Sequence, residues 1–304
     1  MGLANALLKT CTHTFTRRKK RMENKAKMRY NVVVSDYDGT LAHNDNTVAE
    51  STVGLIREFT KQGGSFMVST GRGPLGIIPP LKKIGITEGK VMCLQGCVVA
   101  DIATGEYLSC MGMDKNVGYQ ILKCLEQDIA SGQELNIVVY LNGIGHATKI
   151  TEYIAWYRSV NGSPITEVQG LLSDFVNEND YAVNKVLLVD DPQIIDAYQK
   201  KYAGFFQGVS VSKSASELLE FTDAEMNKGV ALKNYRAKFL GEEDRVIALG
   251  DTQIDAPMLQ TADLGVAMGN AMQEAKDVAD IVTISNDENG VEYIIRKYCL
   301  GEEI

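Results

Sequence analysis

The sequence predicts an α/β protein: a doubly wound, Rossmann-like core on a parallel sheet, with a second α/β domain inserted into it. Three observations carry this. Short β-branched runs that are apolar at every position, such as Val32-Val33-Val34 and Val246-Ile247-Ala248-Leu249, alternate with stretches of helical period. Strands apolar on both faces belong in a parallel sheet covered by helices. The runs end at polar residues, Asp36, Thr70 and Asp251, and open α/β sheets bind ligands beyond the carboxyl ends of their strands. Finally, a block from 113 to 212 shows a strand–helix alternation of its own, which reads as a separate layer structure with its own core.

In chain order, a buried strand over 31–35 is followed by an amphipathic stretch near 48–62. The strand SFMVS over 65–69 then ends in Thr70-Gly71-Arg72. VMCLQ over 91–95, VVAD and a TGEYL turn-and-strand come next. Late in the chain RVIALGD (245–251), DLGVAMGN (263–270) and DIVTIS (280–285) read as strands, with helices over 227–241 and 271–279. The first of these helices closes on a glycine, a common helix terminator. A βαβα order of this kind implies right-handed crossovers.

Within 113–212 the sequence predicts a helix NVGYQILKCLEQDIA, strands NIVVYL and GHATKI, and a helix ITEYIAWYRSV. A long amphipathic segment to about Val183 follows, then strand NKVLLVD, helix PQIIDAYQKKYA and strand FFQGVSV. The expected division is a basic N-terminal extension at 1–28, a core of 29–112 with 213–304, and an insertion at 113–212.

Charge and composition exclude several functions. The net charge of −8 conceals +7 over residues 17–29, leaving −15 for the rest. An acidic body is a poor surface for phosphate backbones, so no nucleic-acid partner is expected. No apolar run reaches the roughly 18–20 residues that cross a bilayer, so no membrane partner is expected either. The basic extension lacks the apolar core of a secretory signal. A transit peptide or basic arm is one reading; a disordered leader, or a working start at Met22 or Met28, is the favoured one. Six cysteines without a CxxC pair and only three histidines fit reduced thiols and a cytoplasmic location, and leave little material for zinc or histidine chemistry. The chemistry expected is that of carboxylates.

Asp36 and Asp38 flank Tyr37 at the end of the first strand, in VVVSDYDGT. Two carboxylates this close repel unless a cation holds them, and a hard, oxygen-preferring ion such as Mg²⁺ suits them. An Asx turn after a strand is the competing reading of that motif alone. GDTQIDAPML adds Asp251 at another strand end and Asp255 four positions later. Thr70 and Gly71 offer a hydroxyl and the amides of a glycine turn to phosphate oxygens. Lys228 opens a helix, so its charge and the helix N-terminus suit one anion.

Taken together, the DxDGT run, the hydroxyl residue, the lysine and GDxxxD resemble the haloacid dehalogenase superfamily over residues 30–300. TGR, NKGVAL, GDTQIDAPML and GVAMGNA are similar to its Cof-type sugar-phosphatase branch. Spacing agrees with that branch. The 34 positions from Asp36 to Thr70 leave no room for an inserted domain, whereas the 158 from Thr70 to Lys228 do. The resemblance implies an aspartyl-phosphate mechanism on small phosphorylated metabolites. It casts Asp36 as nucleophile and Asp38 as acid/base, with Mg²⁺ held by Asp36, the Asp38 carbonyl, Asp251 and Asp255. Thr70, Gly71 and Lys228 would grip the phosphate, and Asn270 would support Asp251 or that grip. Arg72 and Gln95 are candidate substrate contacts, Arg72 alternatively bracing the inserted domain.

Two positions depart from the family. Ile254 stands where an Asn is usual, and Gln95-Gly96-Cys97 replaces an Asn-Gly-Ala turn. Ile254 cannot hydrogen-bond, so support around the metal or phosphate must come from elsewhere or be lost. A phosphomutase or phosphotransferase sharing the intermediate, and a non-catalytic sensor of phosphorylated ligands, are the competing functions. His43 reads as a solvated loop residue, and Tyr153, Trp156 and Tyr157 as core rather than as a sugar platform. Oligomeric state is not encoded in any readable motif.

Overall fold

The computed structural model describes Lys25 and residues 28–303. The N-terminal extension, with its start-codon and targeting readings, lies almost wholly outside the described residues. Lys25 is described, and its Nζ pairs with the buried Asp244 carboxylate at 2.6 Å. Among the described residues no helix is long and apolar enough to cross a membrane.

The chain forms two compact units. The first comprises the described residues up to Val68, Ile84–Ile86 and everything from Tyr235. Its strands are β1 (Val32–Asp36), β2 (Ser65–Ser69), β12 (Val246–Gly250), β13 (Leu264–Ala267) and β14 (Ile281–Val282), in the spatial order β14-β13-β12-β1-β2. The pairs β1/β12, β12/β13 and β13/β14 are parallel. All five residues of β1 and of β12 are buried, as continuous Val/Ile/Leu runs require. Helix α1 (Glu50–Lys61) buries Val53, Leu55, Ile56 and Phe59 along one stripe, the pattern of an amphipathic helix on a sheet.

The second unit comprises Ser69–Lys83 and Thr87–Asn234. Strands β3 (Lys90–Cys93), β4 (Val98–Asp101) and β5 (Tyr107–Cys110) form an antiparallel run. Helix α2 (Pro74–Ile84) carries Pro79 and Pro80 inside it. No helix was expected there, because prolines break the very periodicity that announces one.

The same unit holds a six-stranded sheet. Its strands are β6 (Ile137–Leu141), β7 (Ile144–Ala147), β8 (Ile165–Glu167), β9 (Val183–Val189), β10 (Val209–Ala215) and β11 (Leu218–Asp223), in the order β10-β11-β9-β6-β7-β8. The expected insertion, 113–212, falls wholly in this unit, and the sheet runs on to Asp223 because β11 pairs with β9. The long amphipathic segment before Val183 resolves into β8 and helix α5 (Leu172–Glu178). One face of the sheet buries Val139, Leu141, Val186, Leu188 and Phe221 against Ile121, Leu122 and Leu125 of helix α3 (Lys115–Ala130) and Ile195 of helix α6 (Pro192–Tyr202).

The opposite face is buried as well, and sets polar groups beside Val138 and Leu187. Lys185 donates from Nζ to Glu220 Oε1 at 2.8 Å, and Ser214 donates to the same oxygen at 2.9 Å. Burial works against the Lys185 ammonium, but the adjoining Glu220 carboxylate outweighs it and holds the pKa above the usual lysine value. Glu220→Leu leaves that ammonium buried without a counter-charge, and is expected to cost about 3–5 kcal/mol of stability. Urea unfolding measures it. A double variant with Lys185→Met should recover most of the loss, and no recovery would contradict the pairing.

Nearby, Tyr140 and Tyr157 share a hydroxyl–hydroxyl bond at 3.1 Å. Tyr157 accepts from Asn161 Nδ2, and Asn161 Oδ1 accepts from Ser163 at 2.9 Å. Tyr157, on helix α4 (Glu152–Asn161), is therefore core as expected. Tyr153 and Trp156 are 39 % and 40 % exposed, which corrects that expectation for both. Helix α4 rests on the sheet through one narrow stripe of Ile154, Tyr157 and Asn161, and those two rings lie off it.

Candidate active site

In the first unit, the ends of β1 and β12 place acids side by side. Asp36, Asp251 and Asp255 each offer an oxygen within 4.8 Å of the others, with Asp36 and Asp255 buried. β1 and β12 are adjacent and parallel, paired from Val32/Val246 to Ser35/Leu249, so Asp36 and Asp251 emerge at the same edge. The turn between them is close: Gly39 has φ +79, and a Cβ there would stand 2.5 Å from Asp251 Oδ2. Only glycine meets both demands.

Each acid is oriented by neighbours. Thr40 Oγ1 donates to Asp251 Oδ1 at 2.9 Å. Asp255, fully buried, accepts at Oδ2 from the backbone N–H groups of Asp251 (3.2 Å) and Thr252 (3.0 Å) and from Thr252 Oγ1 (2.9 Å). These donors come from 251 and 252, so the Asp255 carboxylate is held without help from a polar side chain at 254. Asp38 is exposed, and its carboxylate is not one of the three clustered acids.

Asn270 clamps the turn. Its Nδ2 donates to Gly39 O at 2.8 Å, and its Oδ1 accepts from Asn286 N at 3.0 Å. Asn286 Nδ2 in turn donates to Ala42 O at 3.0 Å. His43 Nε2 bonds Asn289 Oδ1 at 2.9 Å, and Asn44 donates twice to Asp287. His43 is thus tied down within its own unit rather than solvated. Thr40, Thr252 and Asn286 were not anticipated. Thr40 had a signal, since it completes the DxDGT run, whereas Asn286 had none.

The donor set fits a hard divalent cation. Three carboxylates converge, their oxygens are the ligand type that Mg²⁺ prefers, and their mutual repulsion is what such an ion relieves. Three of the described thiols are unreactive: burial pushes Cys97 and Cys299 each up to about 12 and Cys93 higher still. All three stay protonated and poorly nucleophilic at neutral pH.

In the second unit, Thr70, Gly71, Arg72, Gln95 and Lys228 form a second group. Thr70 is buried, donates from its N–H to Met92 O at 2.8 Å, and accepts at Oγ1 from Arg72 N at 3.2 Å. Its hydroxyl proton therefore remains for another acceptor. Lys228 is buried at the first position of helix α7 (Lys228–Phe239), and its Nζ donates to Ser69 O at 3.3 Å. Asn227 caps that helix, its Oδ1 accepting from Gly229 and Val230 N–H at 2.9 and 3.0 Å. The Arg72 guanidinium lies against Gly162, just past the end of α4.

The family model for haloacid dehalogenase-like hydrolases matches residues 33–295. Phosphatase YwpJ of Bacillus subtilis is 27% identical over 291 residues, covering 87% of this chain and 98% of that protein. The 5-amino-6-(5-phospho-D-ribitylamino)uracil phosphatase YitU of Bacillus subtilis is 24% identical over 280 residues, covering 88% and 97%. The crystal structure of TM0651 from Thermotoga maritima superposes with a TM-score of 0.79 at 25% identity, covering 89% of this chain and 99% of that one.

Proposed function

We propose, from the premise that this chain belongs to the haloacid dehalogenase-like hydrolase family, that it is a Mg²⁺-dependent phosphatase of small phosphomonoesters, sugar or sugar-alcohol phosphates foremost. The observation that carries this is the cluster of Asp36, Asp251 and Asp255 oxygens within 4.8 Å of one another. The names of the phosphatase relatives support the reaction class, and the ribityl phosphate in one of those names supports the substrate class.

In this reading Asp36 attacks phosphorus in line and becomes an aspartyl-phosphate as the alcohol departs. Asp38 gives the departing oxygen its proton, then takes one from the water that hydrolyses the acyl phosphate, the two roles of one acid/base. The exposure of Asp38 suits a group that exchanges protons with bulk water. The carboxylates of Asp36, Asp251 and Asp255 and the Asp38 carbonyl would hold Mg²⁺, whose charge offsets that of the phosphoryl oxygens. Thr70, through its free hydroxyl proton, and Lys228, through its ammonium, would bind those oxygens. Asn270 and Thr40 act as positioning residues for Gly39 and Asp251. We assign the second, six-stranded sheet and its helices to the cap that selects the alcohol.

The test is phosphate release from a panel of sugar phosphates and an aryl phosphate, with Mg²⁺ and with chelator. Release is expected with the metal and a loss of at least about 100-fold without it. Release indifferent to chelation would overturn the metal assignment. An isomerised sugar phosphate without free phosphate would shift the reading to phosphotransfer.

A further inference from the structure

Leu94 and Gln95 both take left-handed backbone conformations, φ 52° and 57°. Consecutive non-glycine residues in that region cost on the order of 1–2 kcal/mol each. The fold holds them there from two sides. Leu94 is 2 % exposed, its N–H donates to Arg72 O at 3.1 Å, and the N–H of Gln95 donates to Thr70 O at 3.3 Å. The strained turn is therefore bolted to the Thr70–Arg72 segment by both of its amides.

The strain decides where the Gln95 side chain goes. Its Nε2 lies 2.9 Å from the point where a side chain on Gly71 would begin, so the carboxamide stands directly on the glycine of that turn. Its Oε1 is buried and accepts no hydrogen bond from any described residue, although Gln95 itself is only half-buried. A buried acceptor without a donor costs about 1–3 kcal/mol. Glycine would relieve the backbone and alanine would spare the acceptor, so packing alone does not explain a glutamine here.

The missing partner is a donor. A phosphomonoester is mostly a dianion at neutral pH, its second pKa near ~6, and so has no proton to give. Hydroxyl groups on its alcohol portion do.

We propose that Gln95 is a specificity-determining residue: its carboxamide oxygen, set beside the Thr70–Gly71 turn, accepts a hydrogen bond from a hydroxyl of the substrate's alcohol portion. The site thereby favours polyhydroxylated phosphates, sugar or sugar-alcohol esters, over aryl and alkyl ones. The inference rests on the phosphatase reading above, in which Thr70 and Gly71 hold the phosphate.

The experiment compares kcat/KM for a hexose 6-phosphate, a pentitol phosphate and p-nitrophenyl phosphate in wild type, Gln95→Met, Gln95→Asn and Gln95→Gly. Thermal unfolding establishes that each variant is folded. Gln95→Met keeps the length and loses the acceptor, and Gln95→Gly also removes the backbone strain. Both should lower the ratio of hydroxylated to aryl kcat/KM by about 10–100-fold, with Gln95→Asn recovering part of it. A ratio unchanged within about threefold, or an equal loss on every ester, would overturn the proposal, the latter by placing Gln95 on the phosphate alone. A wild-type protein that releases phosphate from none of the three would instead overturn the phosphatase reading itself, and the proposal with it.

Discussion

Asp36→Asn should abolish phosphate release, with a loss of at least about 10⁴-fold in kcat, as removal of a covalent nucleophile does. Asparagine keeps the shape of the β1 terminus, but its amide cannot attack phosphorus. The same substitution removes one of three negative groups whose oxygens lie within 4.8 Å of one another. Without metal, that relief of repulsion should leave the variant at least as resistant to thermal unfolding as wild type. Lost activity with retained stability identifies a chemical role. Substantial residual turnover would sink the aspartyl-phosphate mechanism, and lost stability would show Asp36 to be chiefly structural.

Asp255→Ala should behave in the opposite way. The Asp255 carboxylate is fully buried and takes three hydrogen bonds at Oδ2, from Asp251 N, Thr252 N and Thr252 Oγ1. Truncation leaves those donors unpaired and opens the loop that carries Asp251. A stability loss of about 2–4 kcal/mol is expected even with chelator present, together with weaker Mg²⁺ binding. Urea unfolding with and without the metal, beside a calorimetric titration, separates the two effects. A variant as stable as wild type in chelator would show the three bonds to be dispensable.

Much of the architecture is written locally. The Val32–Val34 and Val246–Leu249 runs announce parallel strands, because a strand buried on both faces has no polar position to spare. The two-residue spacing of Asp36 and Asp38 and the four-residue spacing of Asp251 and Asp255 are likewise local. Helix α2 was not legible, since Pro79 and Pro80 erase its period, and neither was β11. There, Leu218–Asp223 pairs with β9 through Phe221 and Val186, a partner more than thirty residues away. Tyr153 and Trp156 share the helical spacing of Tyr157 yet remain exposed, because periodicity states which residues share a face and not how much of that face is covered.

The fold class, the acids at the strand ends, Thr70 and Lys228 were all legible in the linear sequence, since residue type and short-range spacing encode these. Tertiary structure alone decided which groups orient which. Thr40 reaches Asp251 across 211 positions, and Asn270 reaches Gly39 across 231. Gln95 is pressed onto Gly71 by a strained turn. Contacts of that range depend on how strands are ordered in a sheet and how loops close over it, and no local period or motif records either.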